Sequence, residues 1–397
     1  MNERDLRRGL LGIQPPDELG AQRRSWSLAR AAFDEREPTP WPVRHAGALA
    51  AGAAAVVLLA AVISPPGRAV IGDVRDAIGT ERVVVQGVPK AAPAIFSLPA
   101  PGRLLVSAPT GVWVVEAGGA KRRLGDYDEA SWSPQGRHAV VSTRSQLAAV
   151  RPSGEVRWAL ARPRLHDARW SPSGFRIAYL SGTNLRVVAG DNTGDRRIGP
   201  AADVAPAWRP GEEHVLAYVT PEGQLTVVRT DGDTTAWATG VRATPAHLEW
   251  SADGTRLLTA TQLSPSRFAL TVYDDSGRRL QSLPVPGTFR AAAFAPDDHR
   301  IAVVRTRGGR SELVIADADS LRSQEPVFEG KGDFTDIAWA PQGRWLLLGW
   351  ESADQWLFIR STDVEKIKAV SSLAVQFDPG GGGAGAFPRI EGWCCTK

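Results

Sequence analysis

Cysteine is almost absent. The chain has 397 residues and only two cysteines, Cys394 and Cys395, adjacent and near the end. This excludes a disulfide framework or a cysteine zinc cluster in the body. It leaves the pair as a tail feature with three open states: a disulfide between neighbours, a cross-link to a partner, or two thiols. Familiar catalytic signatures are missing as well. There is no H-E-x-x-H, no P-loop, no G-x-S-x-G and no Asn-x-Ser/Thr sequon. The six histidines (45, 138, 166, 214, 247, 299) are scattered and read as strand or loop residues. Basic residues outnumber acidic ones by only 47 to 43, with no basic block. A net charge of +4 spread over a mixed-sign surface gives no reason to expect nucleic acid as a partner. "DNTGD" (191–195) and "DGD" (231–233) suit tight turns better than calcium loops. No catalytic residue, cofactor or metal is expected.

What is present sorts into an address and an architecture. Residues 46–63 read "AGALAAGAAAVVLLAAVI", eighteen residues without a charge. As a helix this run is about 27 Å long, enough for the hydrocarbon core of a bilayer. The 45 residues before it carry eight Arg, whereas 64–90 carry Arg68, Arg75, Arg82 and Lys90. Basic residues favour the cytoplasmic side, so the expectation is a single-pass protein with a cytoplasmic N-terminus and an extracytoplasmic body. Within the arm (1–45), residues 17–37 place Leu19, Trp26, Ala29 and Phe33 on one helical face. That helix suits either the membrane surface or a cytosolic partner. Residues 64–89 are read as a linker.

Forty glycines and 29 prolines, spread evenly, suit many short strands joined by turns. A repeat confirms the pattern. "SWSPQGRHAVVS", "RWSPSGFRIAYLS", "AWRPGEEHVLAYV", "EWSADGTRLLTA", "AFAPDDHRIAVV" and "AWAPQGRWLLLGW" place anchors at Trp132, Trp170, Trp208, Trp250, Phe294 and Trp339. Leu98 in "SLPAPGRLLV" reads as a seventh, and the spacings run from 34 to 45 residues. Each anchor ends one short strand. A Pro-Gly turn follows, then an apolar strand, a third strand, a polar turn, and a fourth strand leading to the next anchor. Four antiparallel strands per repeat of about 40 residues describe a propeller blade. The expected fold is all-β: a seven-bladed propeller over 90–377, followed by a Gly-rich tail over 378–397. Six or eight blades stay open, depending on whether closure borrows 81–88 or the tail. The anchors read as apolar plates between blades.

These repeats resemble those of the TolB-like, WD-like propellers, whose core is W-S-P-D-G followed by an apolar strand. The resemblance covers roughly 90–377. It implies a bacterial extracytoplasmic, non-catalytic interaction scaffold, and it does not imply which partner. The motif's Asp stands here at Asp253 and Asp297 but is replaced by Gln135, Ser173 and Gln342, so that carboxylate has no general role. Propeller-bearing prolyl peptidases carry a peptidase domain beside the propeller, and none is expected here.

First strands line a propeller's channel. On the face opposite each anchor they carry Glu129, Asp167, Arg169, His247, Glu249 and Asp336. These are the candidate binding residues of a channel mouth. The competing reading is that they bond locally and hold blades together. The functional expectation is a membrane-anchored propeller that binds a protein or an envelope ligand. One alternative is a transmembrane regulator of anti-sigma-like layout, its arm binding a cytosolic protein. Another is a propeller hydrolase or lyase using the channel carboxylates.

Overall fold

A computed structural model describes residues 97–395 except 233, 323–325 and 381–384. The arm, the apolar run and the linker fall outside the described residues. Among the described residues, no helix is long and apolar enough to cross a membrane.

The described chain forms seven antiparallel sheets of four strands each. The innermost strands are Glu129–Trp132, Leu165–Trp170, Ala207–Trp208, His247–Trp250, Thr288–Phe294, Phe334–Trp339 and Arg389–Cys394. Each lies against the innermost strands of the sheets before and after it, and the seventh returns to the first. The result is a closed seven-bladed propeller around a central channel. Blades 2 to 7 follow chain order, inside to outside. Blade 1 does not: its outer three strands are Arg103–Ala108, Gly111–Val115 and Lys121–Gly125, and its inner strand is Arg389–Cys394.

The core is divided among the blade interfaces. Seven apolar clusters each span two neighbouring blades, including the pair formed by blades 7 and 1. A middle strand is therefore buried on both faces and loses the in–out alternation of a one-sided sheet. Val215–Val219 (VLAYV) is buried throughout. The outer strand Val156–Ala161 keeps every residue exposed or half-buried.

The anchors are the plates the repeat suggests, with one replacement. Trp208, Trp250, Phe294 and Trp339 are buried. Trp132 and Trp170 are half-buried, and a side chain from the preceding blade lies over each. The Arg103 guanidinium sits 5.1 Å from the Trp132 ring centre, and His138 stacks on Trp170 at 6.4 Å. Arg209 over Trp250 and Arg300 over Trp339 repeat the device in later blades. Leu98 is not the seventh anchor. It lies outside any strand, and its N–H donates to Ala117 O. Trp393 takes that place, paired opposite Leu104 and buried against Phe358.

The propeller thus extends past residue 377, and closure uses the tail. The Gly-rich stretch is only the connector, because Ile390 and Trp393 resume an apolar face. Before it, Phe377 is buried between Trp113 and Trp356, with ring centres 5.9 and 5.5 Å away.

The Ser-Pro-x-Gly turn has a local cause. Ser133 Oγ accepts the His138 N–H at 3.0 Å, and the Gly136 N–H donates to Ser133 O at 2.8 Å. Gly136 closes the turn at φ +62°, a conformation costly for residues with a Cβ. Ser171 and Ser251 repeat the serine bond to Arg176 and Arg256.

Candidate functional site at the channel mouth

Inner strands present backbone and side chains to the channel, and irregularities aim them. Pairing in the inner strand of blade 3 shifts between His166 and Arg169, and Asp167 adopts φ +54°. Such a bulge turns a backbone N–H and a side chain away from the ladder. The Asp167 N–H points into blade 2 and donates to Glu129 Oε2 at 2.7 Å. Arg169 Nη2 lies 3.5 Å from Asp167 Oδ1, a loose contact.

The same tether recurs. Glu249 Oε2 in blade 5 accepts the Phe294 N–H of blade 6 at 3.1 Å, and His247 Nε2 is 3.4 Å from that oxygen. Asp336 in blade 7 accepts the N–H of Ile390 in blade 1. Three of the four expected binding carboxylates therefore join one blade to the next. The local reading applies to Glu129, Glu249 and Asp336, because each satisfies a backbone donor that the bulged or short inner strand leaves open.

Glu391 belongs to the same region although the repeat gave no reason to single it out. It accepts a hydrogen bond from Ser107 Oγ at 2.6 Å. Burial pushes its carboxyl upward, while Ser107, Arg389 and Arg169 favour the charged form and Glu129 opposes it. Burial likewise raises the Asp336 carboxyl against the pull of Arg389. Asp336 Oδ2 is buried without a hydrogen-bond partner among the described residues. The structure thus gathers Glu129, Asp167 and Arg169 with Glu391, and ties Asp336 to them through Arg389. His247 and Glu249 form a separate pair on the blade 5–6 boundary.

This end of the channel opens into a cavity of about 570 Å³ lined by Glu129, Arg144, Arg164, His166, Asp203 and Arg389, among others. Asp203 was not legible as a site residue. Its Oδ1 lies 2.9 Å from His166 Nε2, and Asp167 completes a trio whose ligand atoms fall within 4.8 Å of one another. These three are the described residues best placed to hold a divalent cation. Asp203 is largely exposed, and His166 Nε2 makes no hydrogen bond among the described residues despite lying 2.9 Å from it. A smaller cavity of about 350 Å³ adjoins through Asp128 and Arg389.

No family model matches the chain. A curated relative, "Uncharacterized peptidase YuxL" of Bacillus subtilis (strain 168), is 23% identical over 198 residues. That alignment covers 50% of this chain and 23% of the relative, so the chain spans less than a quarter of its length. Among solved structures, "Kuenenia stuttgartiensis Hydrazine Synthase" aligns over 69% of this chain and 80% of its own, at 13% identity and a TM-score of 0.44.

Proposed function

We propose that this protein is a membrane-anchored, extracytoplasmic propeller of the TolB-like kind that binds a protein segment or envelope ligand at the channel mouth, without catalysis. One observation carries the reading. The inner-strand carboxylates Glu129, Glu249 and Asp336 are engaged as tethers between blades, and the cavity wall turns Arg144, Arg164 and Arg389 toward a ligand. A site whose tethering acids are committed to backbone donors, and whose wall carries three arginines against Asp128 and Asp203, suits recognition of an acidic or carbonyl-rich partner. The uncharged run 46–63 and the arginines before it support the anchor and its orientation. The resemblance of the repeats to TolB-like propellers supports the outer location.

Cross-linking the intact protein in membranes, followed by capture, tests this reading. Arg164→Glu with Arg389→Glu is expected to abolish a cross-link made by the unaltered chain. An identical cross-link pattern in both would remove the mouth from the binding surface. Topology is tested on the reduced Cys394–Cys395 pair with a membrane-impermeant maleimide. Labelling only after cell lysis would put the propeller in the cytoplasm and end the proposed orientation.

A second reading, a hydrolase or lyase, has two observations in its favour. One relative is named a peptidase, and the carboxyls of Glu391 and Asp336 are both raised, as a general acid requires. Loss of peptide hydrolysis in Asp336→Asn, with the fold retained, would transfer the assignment to it. The regulatory reading, with residues 17–37 holding a cytosolic protein, is tested by deleting that segment from the full chain and comparing captured partners.

A further inference from the structure

The channel's opposite end carries a different chemistry. The proline turns after the inner strands of blades 2, 6 and 7 meet there at Pro134, Pro296 and Pro341 around a cavity of about 1220 Å³. Cys394 and Cys395 line it and are bonded to each other. A disulfide ordinarily stabilises a fold by closing a loop of chain, and the gain grows with loop length. A bond between sequence neighbours closes no loop, so stapling does not explain this one.

Its surroundings suit reaction. Both cysteines are part-exposed. Cys395 Sγ lies 3.3 Å from Pro134 O, and Cys394 Sγ lies 3.7 Å from Ser133 O. A disulfide has no proton to offer these carbonyls, but a thiol does, so the reduced pair has acceptors in place. Gly136 permits the approach: a Cβ there would stand 3.1 Å from Cys395 Sγ. The wall is basic. Arg103, Arg137 and Arg151 line it with His138, and no carboxylate among the described residues does. Arg151 is paired with Glu155 at 2.7 Å, and Arg103 donates to Gly136 O at 2.6 Å. Arg137 is exposed and has no ion-pair partner among the described residues. Burial and the charges of Arg151, Arg157 and Arg137 push the His138 imidazole down, as a local positive field should.

We propose that the Cys394–Cys395 bond is a thiol-exchange site for small anionic thiols, drawn into the cavity by its arginines. The incoming thiolate attacks one cysteine sulfur. The bond between the cysteines breaks, a mixed disulfide forms, and the other sulfur leaves as a thiolate that takes up the proton. A second small thiol attacks the mixed disulfide, releases the small-molecule disulfide and leaves the protein dithiol. Two electrons pass from the two small thiols to the protein. The small-molecule disulfide drives the same steps in reverse, so the pair equilibrates with its surroundings and needs no further oxidant. Cationic surroundings stabilise both the attacking and the leaving thiolate.

The test uses the full-length protein and three probes: 3-mercaptopropionate, 2-mercaptoethanol and cysteamine. Reactions are quenched with iodoacetamide, read by intact mass, and expressed per thiolate. Air-oxidised protein should start as the disulfide. The anionic probe should react about tenfold faster than the cationic one at low salt, with the advantage shrinking as salt screens it. Arg137→Glu should erase much of that advantage, slowing the anionic probe most and the cationic probe least. Equal rates for all three probes would overturn the charge selection. Resistance of the folded protein to every probe, or a dithiol that persists in air, would overturn the site itself.

Discussion

Glu129 Oε2 accepts the backbone N–H of Asp167 at 2.7 Å, across the boundary between blades 2 and 3. The bond places a side-chain acceptor where a bulged inner strand leaves a donor unpaired. Glu249 does the same for Phe294 three blades on.

Replacing Glu129 with Ala should therefore act on stability before it acts on binding. Leaving a part-buried N–H unpaired costs roughly 1–3 kcal/mol. Glu129→Gln, which keeps an acceptor oxygen, should recover most of that loss. The two tethers are far apart in the ring, so Glu129→Ala and Glu249→Ala should add. Urea denaturation of the single and double variants measures this, and a strongly non-additive pair would show that the tethers communicate.

The closing strand makes a sharper prediction. Trp393 is buried against Phe358, with ring centres 5.6 Å apart, and sits opposite Leu104. Trp393→Ala should cost about 3–5 kcal/mol, in the range of large-to-small changes in a core. Removing everything from residue 389 onward should do worse, since blade 1 loses its inner strand and the ring its closure. Thermal melting of both variants reads the difference, and a truncated chain that melts like the intact one would refute the closure.

Blade 3 holds a buried charge cluster around Asp195. Tyr179 Oη donates to Asp195 Oδ1 at 2.6 Å, Arg186 Nη2 lies 2.7 Å from Oδ2, and Arg162 Nε donates to Oδ2 at 2.8 Å. Burial first, and then the bond to Asp195, push the Tyr179 phenol up to about 12. Asp195→Ala leaves the buried phenol without its acceptor and two half-buried guanidinium groups without their partner, and should destabilise by about 1–3 kcal/mol. Tyr179→Phe removes one neutral donor and should cost about 1 kcal/mol. The phenol should remain un-ionised in an absorbance titration until the protein unfolds.

A pH effect is expected between blades 5 and 6. His299 sits between two carboxylates: Nε2 is 3.0 Å from Asp253 Oδ2, and Nδ1 is 3.0 Å from Asp319 Oδ2. The bond to Asp319 leads in raising the imidazole, with Asp253 helping against burial. Burial opposes ionisation of both aspartates, but their hydrogen bonds prevail and hold them low. The imidazolium contribution is therefore full below the unfolded histidine value of about 6.5 and fades as pH rises through the higher folded value. The carboxylate contribution is present above about 3.9 and fades as pH falls through the lower folded values. Both operate in mildly acidic solution. The groups are a quarter to a half exposed, so the effect should stay below about 1 kcal/mol. His299→Gln should flatten the stability profile above neutrality, and an unchanged profile would dismiss the clamp.

Most of the architecture was legible because blades repeat. The serine–proline turn, the two apolar middle strands and the aromatic at the end of each first strand recur with a constant physical task. Trp393 was not read as an anchor for the converse reason. It follows a Gly-rich connector, and "GWCC" has no Pro-Gly turn after it, because the strand it pairs with lies near the other end of the chain. Leu98 took its place on the strength of "PAPGR", whose turn is real but follows no inner strand. In the mouth, alternation along the first strands brought Glu129, Asp167 and Arg169 into view together. Their duties were hidden, since the bulge that turns the Asp167 N–H toward Glu129 leaves no trace in residue type. Glu391 and Asp203 had no signal either. One lies on the unrecognised seventh inner strand, and the other lies in a connecting loop.

Blade 1 also sets the order of assembly during synthesis. Its strand Arg103–Ala108 emerges nearly three hundred residues before its partner Arg389–Cys394. At the usual elongation rates of about 5–20 residues per second, that strand waits roughly 15–60 s with an unpaired edge. Blades 2 to 7 can each complete themselves as they leave the ribosome, whereas blade 1 can only be finished last. The nascent chain is thus an open arc with a sticky end, most vulnerable to pairing with a neighbouring copy in the interval before its own final strand arrives.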